Sequence, residues 1–244
     1  MSDFDIAIVL YPGMTALDAI GPYEVLRMMP GARIRFVAHE AGPVITDSGV
    51  LAIGATHTFA EVPRPRIILV PGGPAATAAS ADDKLLAWLI AAHRTSTWTT
   101  SVCTGALVLA GAGLLDGEPA TTHWSAQQAL GLLGAKPQRE ERVVRTGKIV
   151  TAAGVSAGID LALWLAGEMF GREQAEAIQL NIEYDPRPPF DAGHVSKASG
   201  AVKRKALADM VRSAPEMRAS ETFVSSLTGA QKTLWRSAIR RMRR

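Results

Sequence analysis

Short apolar runs alternate with stretches of helical character along most of this chain. Residues 33–38 and 98–102 read as strands, and 5–11 and 67–70 are nearly unbroken apolar runs. Continuous rather than alternating hydrophobicity predicts strands buried on both faces of a parallel sheet. Between them lie predicted helices. One covers 16–26 with Gly21-Pro22 inside it, one 84–93 behind Asp82-Asp83, and one runs from just after Cys103 to near Gly113. Ala120–Trp124 reads as a short strand, and Ser125 as the N-cap of a helix over 126–133. A small-residue run, 152–160, opens a long apolar helix through Phe170, and another helix covers 173–182. Two hairpins are predicted, 44–53 around Asp47-Ser48-Gly49 and 142–151 around Thr146-Gly147. Residues 56–65 read as loop with a short helix. The proline-rich 184–190 must be extended, and 202–244 reads as helix broken at Pro215 and Gly229. The pattern predicts an α/β sandwich with a mainly parallel, twisted sheet. It divides the chain into a domain over 1–195 and a helical extension over 196–244.

The candidate chemistry gathers where strands end. The chain's single cysteine, Cys103, follows the run Trp98–Val102 and precedes a helix, with Gly105 to let the turn pack closely. Free N–H groups and the helix dipole at such a junction favour thiolate. The geometry is that of a nucleophile elbow with sulfur in place of oxygen. A lone cysteine can equally be a small buried hydrophobe. Asp18 stands just past the first strand, at the sheet edge where open α/β folds place their sites; it reads as a functional carboxyl or as a helix N-cap. Pro71-Gly72-Gly73-Pro74 leaves another strand at that edge, either a plain turn or a set of N–H donors for an oxyanion. His123 reads as a site neighbour or a structural loop histidine.

Composition narrows the class. At 48% hydrophobic and 20% charged residues the chain is globular. One cysteine permits no intrachain disulfide. An acidic start without a basic, apolar leader, and no stretch long enough to span a bilayer, point to the cytoplasm. The net charge of +3 is unevenly spread. Residues 201–244 carry 11 Lys+Arg against 3 Asp+Glu, whereas 1–200 carry 15 against 20. Any nucleic-acid binding would rest on that tail alone, which reads as a solvated basic extension. No metal-ligand cluster and no dinucleotide fingerprint is visible.

Val70-Pro71-Gly72-Gly73, Ser101–Ala106, Ala120–Trp124 and Gly154–Asp160 together resemble the ThiJ/PfpI superfamily, the class I glutamine-amidotransferase-like fold, over about residues 5–190. Leu17-Asp18-Ala19-Ile20-Gly21-Pro22 and Glu183–Phe190 look most like its isocyanide hydratase branch. Thr104 replaces the histidine that follows the cysteine in protease-like members, and Asp18 stands where deglycase- and glyoxalase-type members place glutamate. The resemblance implies a three-layer, flavodoxin-like fold, a homodimer, and hydration of a small isocyanide to a formamide without cofactor or metal. Cys103 would be the nucleophile and Asp18 the proton carrier. Gly72, Gly73 and Thr104 would orient the intermediate, and Ile20, His123, Trp124 and Val155 would wall the pocket or serve as core. Aldehyde removal and a non-enzymatic ligand- or redox-sensing role are the alternatives. Related regulators add a DNA-binding module of about 100 residues, for which the chain after position 200 is too short.

Overall fold

β1 (Phe4–Val9) runs through the centre of the molecule with Ile6, Ala7, Ile8 and Val9 fully enclosed. The computed structural model describes residues 3–212 and 221–242. After β1 come α1 (Ala16–Leu26), β2 (Ala32–Ala38), β3 (Gly42–Ile45), β4 (Ala52–Ala55), β5 (His57–Thr58), β6 (Ile67–Val70) and α2 (Ala76–Ala79). α3 (Asp83–Thr95), β7 (Trp98–Val102), α4 (Gly105–Gly111), β8 (Pro119–Ala120), α5 (Gln127–Leu132) and β9 (Lys136–Pro137) follow. The chain ends with β10 (Val143–Thr146), β11 (Ile149–Ala152), α6 (Ala157–Phe170), α7 (Arg172–Asn181), α8 (Gly200–Arg212) and α9 (Glu221–Met242).

The main sheet has the order β10-β11-β7-β6-β1-β2-β5 and is parallel except for the β10–β11 hairpin at one edge. β6 is buried at every position, as its unbroken hydrophobicity predicts, and β7 is buried throughout although Thr99, Thr100 and Ser101 carry hydroxyls. One group of helices, α1, α6 and α7, packs together; α2, α4, α5 and α9 form another. The result is a layered α/β fold with a mainly parallel central sheet. α1 and α6 approach closely because the contact is made of small residues: a Cβ on Gly158 would lie 2.8 Å from Pro22 Cγ and 3.0 Å from Val102 Cγ2. Pro22 also removes the helical hydrogen bond that would run back to the Asp18 carbonyl.

The tightest junction is between β6 and α4. A Cβ on Gly105 would lie 2.2 Å from the Val70 carbonyl oxygen and 2.9 Å from that of Pro71. Both are backbone, so neither can swing aside. Gly105→Ala is therefore expected to lose at least about 2–3 kcal/mol of stability, read from denaturant unfolding. A variant within about 0.5 kcal/mol of the parent would contradict this packing.

Several sequence expectations are corrected. The strand expected at 120–124 stops at Ala120. Ser125 is not a helix cap: it lies inside the 3-10 turn Trp124–Ala126, whose N-cap is His123. Residues 57–58, read as loop, form β5 on the sheet edge. Gly229 does not break the last helix but lies within it, where a Cβ would come 3.1 Å from Thr77 O and 3.2 Å from Ala78 Cα. The missing side chain lets α9 settle onto α2. Pro215 lies outside the described residues.

α8 is largely exposed, as a solvated extension would be, but the last part of the tail is not. The Thr233 hydroxyl bonds the Ser80 carbonyl at 3.0 Å and that of Ser237 donates to Leu133 O at 2.8 Å, both enclosed. Lys232 and Arg236 reach Asp83 at 2.7 and 2.5 Å, and Arg240 reaches the buried Asp116 at 2.9 Å. The basic end of the chain thus folds back onto acids of the body.

Candidate active site

Three of the central strands deliver their following loops to one edge. β1 leads to Tyr11 and Asp18, β6 to Gly72-Gly73, and β7 to Cys103-Thr104. β6 lies between β1 and β7; the chain steps outward from β1 to β2 and β5, then crosses back to β6 on the other side of β1. A crevice at such a switch point is where ligands bind in open α/β sheets.

Cys103 has φ +57°, the left-handed region that side chains other than glycine avoid. This costs about 1–3 kcal/mol and persists only if the surroundings enforce it. They do so from both sides. The Cys103 N–H donates to the carbonyls of Ala153 (2.7 Å) and Ala152 (3.1 Å), and its own carbonyl accepts from the Thr122 hydroxyl at 2.8 Å. The left-handed residue thus sits at the bend between β7 and α4.

Asp18 is the third residue of α1, three past its N-cap Thr15. In a capping box its carboxyl would turn back to the Thr15 N–H. That N–H instead donates to Gly72 O at 2.9 Å, and the Thr15 hydroxyl donates to Asp47 Oδ2 at 2.6 Å. Asp18 is turned inward and fully enclosed; Oδ2 accepts from the Gly72 N–H at 2.8 Å. Oδ1 is buried without a hydrogen-bond partner. The Cys103 thiol interacts with this carboxyl, and Oδ1 is left without a formed hydrogen bond.

Burial pushes the Asp18 carboxyl up from 3.8 to about 7; the Gly72 N–H and the thiol pull it down, and Asp47 pushes it further up. Burial also raises the Cys103 thiol well above its ordinary range. The Asp18 charge adds to this, and the Thr104 N–H and hydroxyl oppose it. The thiolate expected from the helix terminus is therefore not the resting form. α4 is a two-turn helix, and loss of solvent outweighs its dipole. Burial thus favours the protonated thiol over the thiolate.

The expected N–H donors are differently employed. Gly72 is needed for close approach, since a Cβ there would lie 2.4 Å from Thr104 N, but its N–H is held by Asp18. The Gly73 N–H donates to Thr104 Oγ1 at 2.8 Å, and that hydroxyl lies 2.9 Å from Gly73 O. Of the three, the Thr104 N–H is the one turned to the sulfur.

His123 is half-buried. Its Nδ1 lies 2.7 Å from Ser125 Oγ, and burial lowers its pKa, so the ring is neutral at pH 7. Its edge faces Gly154, and its ring lies 5.6 Å from that of Trp124. Ile20 and Val155 are half-buried against the core. None of these four makes a hydrogen bond to Cys103 or Asp18. Tyr11 was missed by sequence reasoning. Its buried hydroxyl donates to Pro71 O at 2.8 Å, and its pKa is raised by burial, then by the charges of Asp18, Cys103 and Asp47. The available signal was its place at the polar end of the first strand. Among the described residues no group of three or more His, Cys, Asp or Glu could hold a metal ion, and no helix is long and apolar enough to cross a membrane.

A nucleophilic sulfur, a carboxyl that titrates near neutrality and one N–H at the sulfur suit addition to an electrophilic carbon with proton transfer. The profile of the DJ-1/PfpI family matches residues 5–168. An isonitrile hydratase from Pseudomonas putida is 40% identical over 87% of this chain and 91% of its own length. A crystal structure of a ThiJ/PfpI family protein from Pseudomonas syringae superposes with a TM-score of 0.82 at 39% identity, covering 94% of this chain and 91% of that one. An HTH-type transcriptional regulator from Pseudomonas aeruginosa is 29% identical over 82% of this chain, which spans 62% of the regulator.

Proposed function

This chain belongs to the DJ-1/PfpI family, and on that premise we propose that it is an enzyme that hydrates isocyanides to N-substituted formamides. The observation that carries the reading is the enclosed Asp18 carboxyl beside the Cys103 thiol, with Oδ1 unpartnered and a pKa of about 7. The relative called isonitrile hydratase, similar over most of both chains, supports the substrate class.

The chemistry follows from those groups. Asp18 takes the thiol proton as sulfur attacks the terminal isocyanide carbon, forming the S–C bond. The same proton passes to that carbon, giving a thioimidate, R–N=CH–S. Asp18, again a carboxylate, takes a proton from water as the oxygen adds to the carbon. Asp18 passes that proton to nitrogen; the C=O bond of the formamide then forms as the C–S bond breaks, and the hydroxyl proton returns through Asp18 to sulfur, restoring the thiol. The Thr104 N–H stabilises negative charge on sulfur at both ends of the cycle. Because Asp18 acts as a base, kcat/KM is expected to rise through a limb near pH 7, the pH at which the Cys103–Asp18 pair loses its first proton. A flat profile between pH 5.5 and 8.5 would count against Asp18 in that role.

The direct test supplies an aromatic isocyanide to the purified protein and follows formamide by NMR or chromatography. Formamide formation supports the reading. Consumption of methylglyoxal with no action on the isocyanide would replace it with aldehyde removal. The similarity to a transcriptional regulator favours a sensing role as the second reading; ligand binding at the site with no turnover of either compound would select it.

A further inference from the structure

The peptide that joins Cys103 to Thr104 does two things at once. Its oxygen end accepts from the Thr122 hydroxyl at 2.8 Å, and its N–H end faces the Cys103 sulfur. A peptide unit is planar and rigid, so the two ends turn together. Whatever fixes the carbonyl fixes the N–H. Thr122 is fully buried and is itself held: Gln127 Nε2 donates to Thr122 O at 2.9 Å and lies 3.2 Å from the Thr121 hydroxyl. The Thr121 N–H donates to Thr151 Oγ1 on β11, the strand paired with β7. Gln127, the first residue of α5, is almost fully enclosed, and its Oε1 has no hydrogen-bond partner. An enclosed amide with one end unsatisfied is an expensive way to fill space. Its satisfied end bonds to the residue that grips the strained elbow.

We propose that Thr122, clamped by Gln127, is a positioning residue. It holds the Cys103–Thr104 peptide so that the Thr104 N–H stays on the sulfur and the left-handed bend does not relax. This rests on the reading of Cys103 as the nucleophile, but not on isocyanide being the substrate. Thr122 acts through the peptide and need not touch the reacting atoms.

The test exploits the chain's single cysteine: alkylation seen by intact mass in the parent but not in Cys103→Ala is alkylation at Cys103. Rates with iodoacetamide are measured from pH 6 to 9 for the parent, Thr122→Val and Thr122→Ser, and kcat and KM with an isocyanide are measured alongside. Thr122→Val keeps the shape and loses the donor; it is expected to slow alkylation about tenfold, the effect of one hydrogen bond on a rate. Its alkylation profile should shift to higher pH, and kcat should fall with KM nearly unchanged. Thr122→Ser, which keeps the hydroxyl, should recover to within about twofold. If Thr122→Val does not fold, Gln127→Met provides the second probe and should slow alkylation in the same direction. Parental alkylation rates in Thr122→Val or, failing that, Gln127→Met, or a Thr122→Ser as slow as Thr122→Val, would overturn the proposal. Absence of formamide with altered alkylation would instead count against the substrate and leave the positioning role standing.

Discussion

Cys103→Ala is expected to abolish formamide formation, lowering kcat by about 10⁴-fold or more, while the protein still folds. No second thiol exists in the chain to take over. The remaining groups, an Asp18 carboxyl of pKa about 7 and the Thr104 N–H, have nothing to deliver to the isocyanide carbon. Alanine can occupy the left-handed position at much the same strain as cysteine, so far-UV circular dichroism and the melting temperature should stay near those of the parent. Sustained turnover in this variant would end the covalent mechanism.

Asp18→Asn should move activity and stability in opposite directions. The amide oxygen can still accept from the Gly72 N–H, but the side chain can no longer take a proton from sulfur, and a loss of about 10²–10⁴-fold in kcat/KM is expected. Stability follows from linkage. The folded protein holds the Asp18 proton up to about pH 7, whereas the unfolded chain releases it near 3.8. Between those values the native state binds more protons. The parent therefore loses up to about 1.4 kcal/mol per pH unit as pH rises from about 4 to 7, with the deficit constant above that. Asparagine has no such slope. Melting temperatures should separate in favour of Asp18→Asn at pH 8 and converge near pH 4. Identical pH dependence in the two proteins would show that burial does not penalise this carboxylate.

The layered sheet was legible because β1 and β6 have almost no polar positions; their apolar runs admit only strands covered on both sides. The meeting of Asp18, Gly72 and Cys103 was legible too, since each follows a strand that ends at the same edge. The charge state of the thiol was not. A helix start can be read from residue order, but the burial that overrides it depends on what lies above the elbow. Thr122 and Gln127 escaped notice because each grips a backbone carbonyl, which leaves no trace in side-chain pattern. Gly229 misled because a glycine that weakens a helix and one that lets two helices touch look the same in a string of letters. The basic tail misled because Asp83 and Asp116 are more than a hundred residues from their cations.

The left-handed backbone at Cys103 bears on how this protein can be engineered. Glycine adopts that conformation freely, so position 103 is one where the substitution most tolerant of heat eliminates the nucleophile. A library ranked by thermal survival alone would drift toward inert molecules there. Screens for robust variants need a turnover readout at every round.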